Sequence, residues 1–477
     1  MKRMAGIGAA VVTLAGLGWV GGTWHTGKQI EDTVRKAVAD AMAANTWGIK
    51  FEWLSYERGV FSSTSRYRMT IPRPDGDAMV VVVDNRLNHG PLPLDRLARA
   101  ELKPVSVTGE SVLVRSEGLG SQLQIADPNA SIRAHSVVDF SDNVLFELTS
   151  PAMRYAQDGS SMEFGAGKIE GSSRKATNQV ILNGTLASVR ANPSLPGPMS
   201  IDLRALTLAV NSRMGGLGMQ IGDSAFRVGG FSVTGVAPDQ SPLSLSGDEF
   251  GVAWHLAEEE KFFNAELSYS LGKLTVNRTD IGDIDLRMAA RRLDGAATAK
   301  LAAAYRDQIA SKPLTSDPAS IRALMNTLKV PFHEVLAGKP GLALDSLIWT
   351  TPLGQSSLKI DTTLVSRTGS AGEDSPAAGV AIERATMDLS VSQPALVDTI
   401  ARFTKTGPGG RPITLAQAHD QAKAHLDSAT RRLMQDKMVV LKGEHLSSQL
   451  VYDGTSVQVN GEEPPPQLLR GLLPMLQ

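Results

Sequence analysis

From Lys50 to about Asp294 apolar and polar residues alternate with a period of two, and that period decides the fold class. Phe263, Ala265, Leu267, Tyr269 and Leu271 interleave with Asn264, Glu266, Ser268 and Ser270. Phe250, Val252, Trp254 and Leu256 interleave with Gly251, Ala253 and His255, and Ile284, Leu286 and Met288 with Asp283, Asp285 and Arg287. Successive side chains of a strand point to opposite faces, so these runs predict antiparallel strands with one apolar and one polar face. Turn clusters such as Pro72-Arg73-Pro74-Asp75-Gly76 and Pro193 to Pro198 separate the runs and space them as a long meander. In Ile201, Leu203, Leu206, Leu208 and Val210 the apolar set changes parity between 203 and 206. Such a step throws the rest of a strand onto the wrong face unless a bulge absorbs it, so bulged, curved sheets are expected.

The last third mixes periods. Asp317 and Pro318 form an N-cap and first-turn pair ahead of Ile321, Leu324, Met325 and Leu328. Ser392 to Thr406 reads as a second helix, stopped by Gly407-Pro408-Gly409-Gly410. Thr414 with Gln417 makes a capping box, and Leu415, Ala418, Ala422, Leu426, Ala429 and Leu433 run down one face to about Lys437. Strand patterns return over Leu358 to Leu364 and Met387 to Val391, and Asp453-Gly454 predicts a hairpin with a tight primed turn. Ser366 to Gly379, rich in Gly, Ser and Ala, reads as a flexible loop within the sheet.

At the other end, Lys2 and Arg3 precede an uncharged stretch, Met4 to Trp24, about the length needed to cross a hydrocarbon core as a helix. The flanking charges orient it with residue 1 in the cytoplasm and everything after about residue 28 outside. No small-x-small site directly follows the apolar run, which favours a retained anchor over a cleaved signal peptide. Gly18 and Gly22 stand at the spacing that lets two spanning helices approach closely, so a homodimer is allowed. Ile30, Val34, Ala37, Val38, Ala41 and Met42 then recur at helical spacing. The chain divides accordingly into a cytoplasmic tip and transmembrane anchor (1–27), an amphipathic juxtamembrane helix (28–48), an antiparallel β region (49–294) and a mixed helix and strand region (295–477) that completes the same architecture.

Composition removes whole classes of function. With 48 Lys and Arg against 49 Asp and Glu, the net charge of −1 creates no field to gather nucleic acid. The absence of Cys excludes thiol nucleophiles, thiolate zinc sites and disulfides. The 8 His are scattered and none forms HExxH; His419 and His425, both on the best helix, point in different directions and cannot share a metal. No G-x-S-x-G elbow, phosphate-binding GxxxxGK[ST] loop or GxGxxG after a strand is present. The Ser172-x-x-Lys175 match lies in a Ser- and Lys-rich turn without companion motifs, and alternation alone explains why Asp283 and Asp285 share a face. No cofactor, metal site or catalytic residue is expected.

One segment stands apart, Phe51 to Ile71. Phe51, Trp53, Tyr56, Phe61 and Tyr67 concentrate here in a chain only 5% aromatic, which predicts a core hairpin. Gly59, between Arg58 and Phe61, predicts a bulge or a close backbone approach, and Ser62 and Ser63 are placed to hydrogen-bond locally. Trp24-His25-Thr26-Gly27-Lys28-Gln29-Ile30-Glu31 follows the apolar run, then come Tyr56-Glu57-Arg58-Gly59-Val60-Phe61-Ser62-Ser63 and His89-Gly90-Pro91-Leu92-Pro93-Leu94. With the closing Val457-Gln458-Val459-Asn460-Gly461 and its Pro-rich tail, this order resembles the YdgA family of bacterial envelope proteins. The resemblance implies a Gram-negative inner-membrane anchor, a large periplasmic part and an unassigned molecular function. Its motif positions here, Tyr56, Arg58, Gly59, Phe61, Ser62, Ser63, His89, Gly90 and Pro91, form the candidate site; His25 stands where the family pattern has Tyr.

The expectation is a mainly β protein: a long curved antiparallel sheet or elongated β-sandwich, several helices in the C-terminal third, and one N-terminal transmembrane helix. Half-apolar strands beside a lipid tether, without a catalytic constellation, point to a non-enzymatic scaffold whose groove or sheet edge takes a lipid or an envelope protein. The alternatives are a hydrolase of envelope polymers using carboxylates distant in sequence, and a purely structural module that assembles neighbours through its helical end.

Overall fold

A computed structural model describes residues 50–466 apart from residue 60 and the segments 73–77, 118–122, 126, 128, 158, 194–198, 237–240, 312–317, 367–379 and 405–411. The anchor and juxtamembrane helix expected before Lys50, and the loop expected from Ser366 to Gly379, fall outside the described residues. Among the described residues no helix is long and apolar enough to cross a membrane.

All strands of the described residues join one 23-stranded antiparallel sheet. The first half holds β1 (Lys50–Arg58), β2 (Ser62–Pro72), β3 (Ala78–His89), β4 (Val107–Glu117), β5 (Leu123–Ile125), β6 (Arg133–Val138), β7 (Val144–Ser150), β8 (Met153–Gln157), β9 (Ser160–Phe164), β10 (Gly167–Arg174), β11 (Gln179–Asn192) and β12 (Ser200–Met214). The second holds β13 (Gln220–Val236), β14 (Pro242–Gly247), β15 (Glu249–Glu259), β16 (Phe262–Val276), β17 (Thr279–Asp294), β18 (Gly341–Thr351), β19 (Gly354–Ser366), β20 (Val380–Ser392), β21 (Val440–Lys442), β22 (His445–Tyr452) and β23 (Val457–Val459). Hydrogen bonding runs β1–β2–β3–β4–β6–β7–β10–β11–β12–β13–β15–β16–β17–β18–β19–β20–β22–β23, each strand beside the next. The short strands β5, β8 and β9 extend the lines of β6, β7 and β10, and β14 extends that of β15. This is a meander without crossovers, as short turns between antiparallel neighbours dictate. Of the two expected architectures it is the long sheet.

The first strands roll the sheet over itself. β1 bulges between Trp53 and Ser55, so Tyr56 follows Phe51 and Trp53 onto one face despite the odd spacing. Phe51 and Trp53 then pack against both Tyr67, Met69, Val81 and Val83 and the group Leu87, Val107, Val138 and Val144. Phe51 stacks on Tyr67 with ring centroids 4.6 Å apart. Burial drives the Tyr67 hydroxyl well above the ordinary tyrosine range, against a smaller opposing hydrogen bond with Ser111.

Beyond the roll the sheet bends along one line. The parity step expected between Leu203 and Leu206 occurs at Ala205, whose φ is +51°. Register survives because β13 takes the same step opposite: Leu203 faces Phe231, Leu206 faces Val228, and Gly229 and Gly230 lie between. Val189 follows Leu186 in β11 and Leu274 follows Leu271 in β16 in the same way, and all of these pack into one cluster around buried Leu206, Val228 and Phe231. Close approach of the bulged backbones requires glycine. At Gly165, between β9 and β10, a Cβ would stand 2.8 Å from the Ser188 backbone nitrogen. Gly165→Val is expected to cost about 1–3 kcal/mol through overpacking, read as a lower denaturation midpoint.

Among the described residues α-helices interrupt the meander at three places: α1 (Leu94–Ala98) between β3 and β4, α2 (Gly295–Ser311) and α3 (Pro318–Leu336) between β17 and β18, and α4 (Gln393–Phe403) and α5 (Leu415–Gln435) between β20 and β21. Ser392 caps α4 by accepting from the Ala395 N–H, and the Thr414–Gln417 capping box forms as expected. Neither α1 nor the Ala-rich α2 was signalled by apolar periodicity. Helix α3 continues through Pro331 beyond the expected end near Leu328. The Asp453-Gly454 hairpin also differs: Tyr452 pairs with Val457, and the Asp453 carboxylate accepts from the Thr455 and Ser456 N–H groups. A longer loop closed by its own aspartate replaces the two-residue primed turn.

Candidate functional site

The candidate motif residues converge at one end of the roll, where β1, β2 and β3 turn. Gly59 makes the turn: its N–H donates to the Ser62 carbonyl at 2.8 Å, and a Cβ there would lie 2.6 Å from that oxygen. The His89 N–H donates to the Phe61 carbonyl at 2.8 Å, tying the turn to the end of β3, and Gly90 follows with φ +100°. Pro91 accepts from the Val105 N–H and so anchors the return of the α1 connection. Inside the turn the Ser63 Oγ lies 2.7 Å from His89 Nε2 and accepts from the Tyr56 hydroxyl at 3.3 Å. The bulge in β1 is what puts Tyr56 on this face. Of the aromatic residues expected in the core, Phe51, Trp53, Tyr56 and Tyr67 turn inward, whereas Phe61 is 64% exposed.

Burial, assisted by the Arg58 charge, lowers the His89 pKa from its ordinary 6.5 and favours the neutral imidazole. A serine beside a neutral histidine has the form of a nucleophile and its base. Ser63, however, is 1% exposed and closed off by the roll, and with half-buried His89 it forms a polar clamp inside the turn. The sign of its pH dependence follows. Below pH 6.5 the unfolded chain protonates His89 while the folded chain resists, so stability falls as pH drops from the ordinary value toward the lowered one. His89→Gln is expected to flatten that segment of a pH–stability curve; an unchanged slope would place the titration elsewhere.

On the outer side of the same turn, Thr108 donates to Asp95 of α1 at 2.8 Å. Thr108 and Asn88, paired across β3 and β4, are both buried, so α1 seals this side of the sheet.

The second feature is larger. Leu182, Val210, Ser224, Trp254, Leu267, Met288, Leu344, Ile360, Met387 and Leu450 stand opposite one another in succession from β11 to β22. Beside them runs a second row, Leu208, Phe226, Val252, Tyr269, Leu286, Leu347, Leu358 and Leu389. A third is Leu186, Leu206, Val228, Phe250, Leu271, Ile284 and Trp349. Strand pairing thus turns alternation within each strand into apolar bands across the sheet. Apart from buried Leu206 and Val228 and exposed Trp254, their apolar side chains are half-buried, so the described residues do not cover this face as a closed core would.

The opposite face is polar. A cleft of about 710 Å³ lies over a row of small residues, Ala209, Ala225, Ala253 and Ser268, beside Asn211, Asp223, His255 and Glu266. His255 Nδ1 pairs with Asp223 at 2.7 Å, both side chains exposed, and its strand position is the polar one expected. Among the described residues no group of three or more His, Asp or Glu is placed to hold a metal. His419 meets Asp398 at 3.0 Å and His445 the Gln355 carbonyl at 3.1 Å.

A family model described as "Bacterial protein of unknown function (DUF945)" matches residues 1–467. Protein YdgA of Escherichia coli (strain K12) is 21% identical over 486 residues, covering 97% of this chain and 94% of that protein. Uncharacterized protein YihF of the same organism is 22% identical over 476 residues, 95% of each chain. No solved structure gives a significant match. Both relatives align over nearly the whole length, in agreement with the order of motifs from Trp24 to Gly461, and the chain belongs to the DUF945 family, as the resemblance to YdgA implied.

Proposed function

We propose that the protein is a non-enzymatic lipid-binding protein of the bacterial envelope, held at the inner membrane by Met4 to Trp24, with the sheet on the periplasmic side. The observation that carries this reading is the continuity of the apolar rows. At about 4.8 Å between strands, the row from Leu182 to Leu450 extends for about 40 Å without a charged residue. Soluble monomers rarely leave so large a contiguous apolar surface to water, and acyl chains are the natural occupants of a band that is long, narrow and without charge. The other face, with Asn211, Asp223, His255 and Glu266, keeps that side in water.

The full-length chain, extracted in detergent, washed and taken through organic extraction, is expected to yield phospholipid in stoichiometric amount by mass spectrometry. Recovery no higher than from an unrelated single-span protein treated identically would refute the reading.

A further inference from the structure

We infer that the end of the roll carrying the β1–β2, β3–β4 and β6–β7 turns docks onto a phospholipid bilayer surface, and this rests on the proposed lipid-binding function and its anchor. These turns share one end of the sheet, since Arg58 pairs with Ser63, His89 with Val107, and Val138 with Val144. They carry Phe61, Leu92, Leu94, Leu97, Leu102 and Phe140, exposed by 64%, 38%, 58%, 42%, 70% and 52%. Residues at turns have no core to reach, so the local fold gives no reason for large apolar side chains at all of these positions. Exposed Arg58 and Lys103 stand among them. Of the neighbouring carboxylates Asp95 is engaged by Thr108 and Arg99, Glu101 by Arg96 and Arg99, Asp139 by Ser141 and Asn143, and Asp142 by Lys175, while exposed Glu57 lies next to Arg58 in sequence. Leucine and phenylalanine at the surface with basic residues beside them suit the boundary between acyl chains and headgroups.

Two further observations favour a bilayer as the occupant. The pairing series Leu87, Gly109, Ser136, Phe146, Gly171 and Leu182 puts the buried inner face at this end on the same side of the sheet as the apolar rows, so a docked tip brings that face to the membrane. The tether is also long enough. β1 carries the chain about 30 Å from Lys50 to the tip, and the residues between Trp24 and Lys50 span about 37 Å even if wholly helical. Tip and anchor can therefore share one membrane.

Because the chain has no Cys, single replacements label cleanly. Leu94→Cys and Leu102→Cys, each carrying an environment-sensitive fluorophore, are placed in the full-length protein in nanodiscs of zwitterionic and anionic phospholipid with or without doxyl-labelled chains. Thr207→Cys, exposed on the polar face, is the control. The tip labels are expected to shift to the blue and lose emission to the doxyl chains, and the control to do neither. Quenching no greater than at Thr207 overturns the proposal, as does a blue shift without quenching, which marks burial against protein. Phospholipid extracted from the detergent-purified, washed protein before reconstitution separates the two ideas: lipid recovered there with an unquenched tip in the nanodisc sinks docking alone, and a quenched tip without such co-purified lipid supports docking while sinking lipid carriage.

Discussion

Phe231→Ala is expected to lower stability by about 3–5 kcal/mol, the range for removing a large aromatic side chain from a packed site. Phe231 belongs to the cluster at the bend, and its ring lies over Gly247 so closely that a Cβ there would come within 2.5 Å of it. Glycine opposite an aromatic ring lets the ring cover the backbone of its neighbour, so truncation leaves a gap flanked by a residue with no side chain to fill it. The same contact makes the two positions interdependent. Gly247→Ala alone should destabilise by collision with the ring, yet in the Phe231→Ala background it should recover part of the loss, a non-additivity expected of residues in contact. Denaturation midpoints of the two single variants and the double variant test this, and strictly additive losses would show that the bend is not packed as described.

The second large effect is on binding. Val252→Lys combined with Leu286→Lys sets two charges into the middle of the second apolar row, where Val252 stands opposite both Phe226 and Tyr269, and Tyr269 opposite Leu286. Both side chains are half-buried, so a lysine there can extend its ammonium to water and leave the fold intact. Bound phospholipid should nevertheless be lost, because an acyl chain lying along the row must then desolvate a charge. Thr207→Lys, on the polar face, should retain lipid at the level of the unaltered protein. Equal lipid in all three proteins would remove the apolar face from consideration as the binding surface.

Much of this architecture is legible in the alternation because a period of two leaves a strand only one way to place its apolar set. Among the described residues strands run from β1 to β17 with a single short α-helix among them, and β17 ends at Asp294, where the alternation stops. The parity step between Leu203 and Leu206 announces a bulge, but read in one strand it looks like a local defect. Only the register shows that β11, β13 and β16 step beside it, which converts separate bulges into a continuous bend. The motif cluster is hidden for a related reason. Ser63 and His89 lie 26 residues apart, and nothing local indicates that β2 and β3 place them in contact. Helix α2 escapes notice because its face is built from alanine, which stabilises a helix without marking a side of it. Phe61 shows the limit of composition: an aromatic residue in an aromatic-rich segment reads as core, while its position at the apex of a turn puts it in solvent.

The two-faced sheet itself can be tested at single-residue resolution. A photoreactive benzophenone side chain introduced at Val252 or at Ala253 differs in sequence by one position and in space by the thickness of the sheet. Irradiation of the full-length protein in the cell envelope, followed by mass spectrometry, should give a phospholipid adduct at position 252 and none at 253. Adducts at both positions, or at 253 only, would contradict a lipid path along the apolar face.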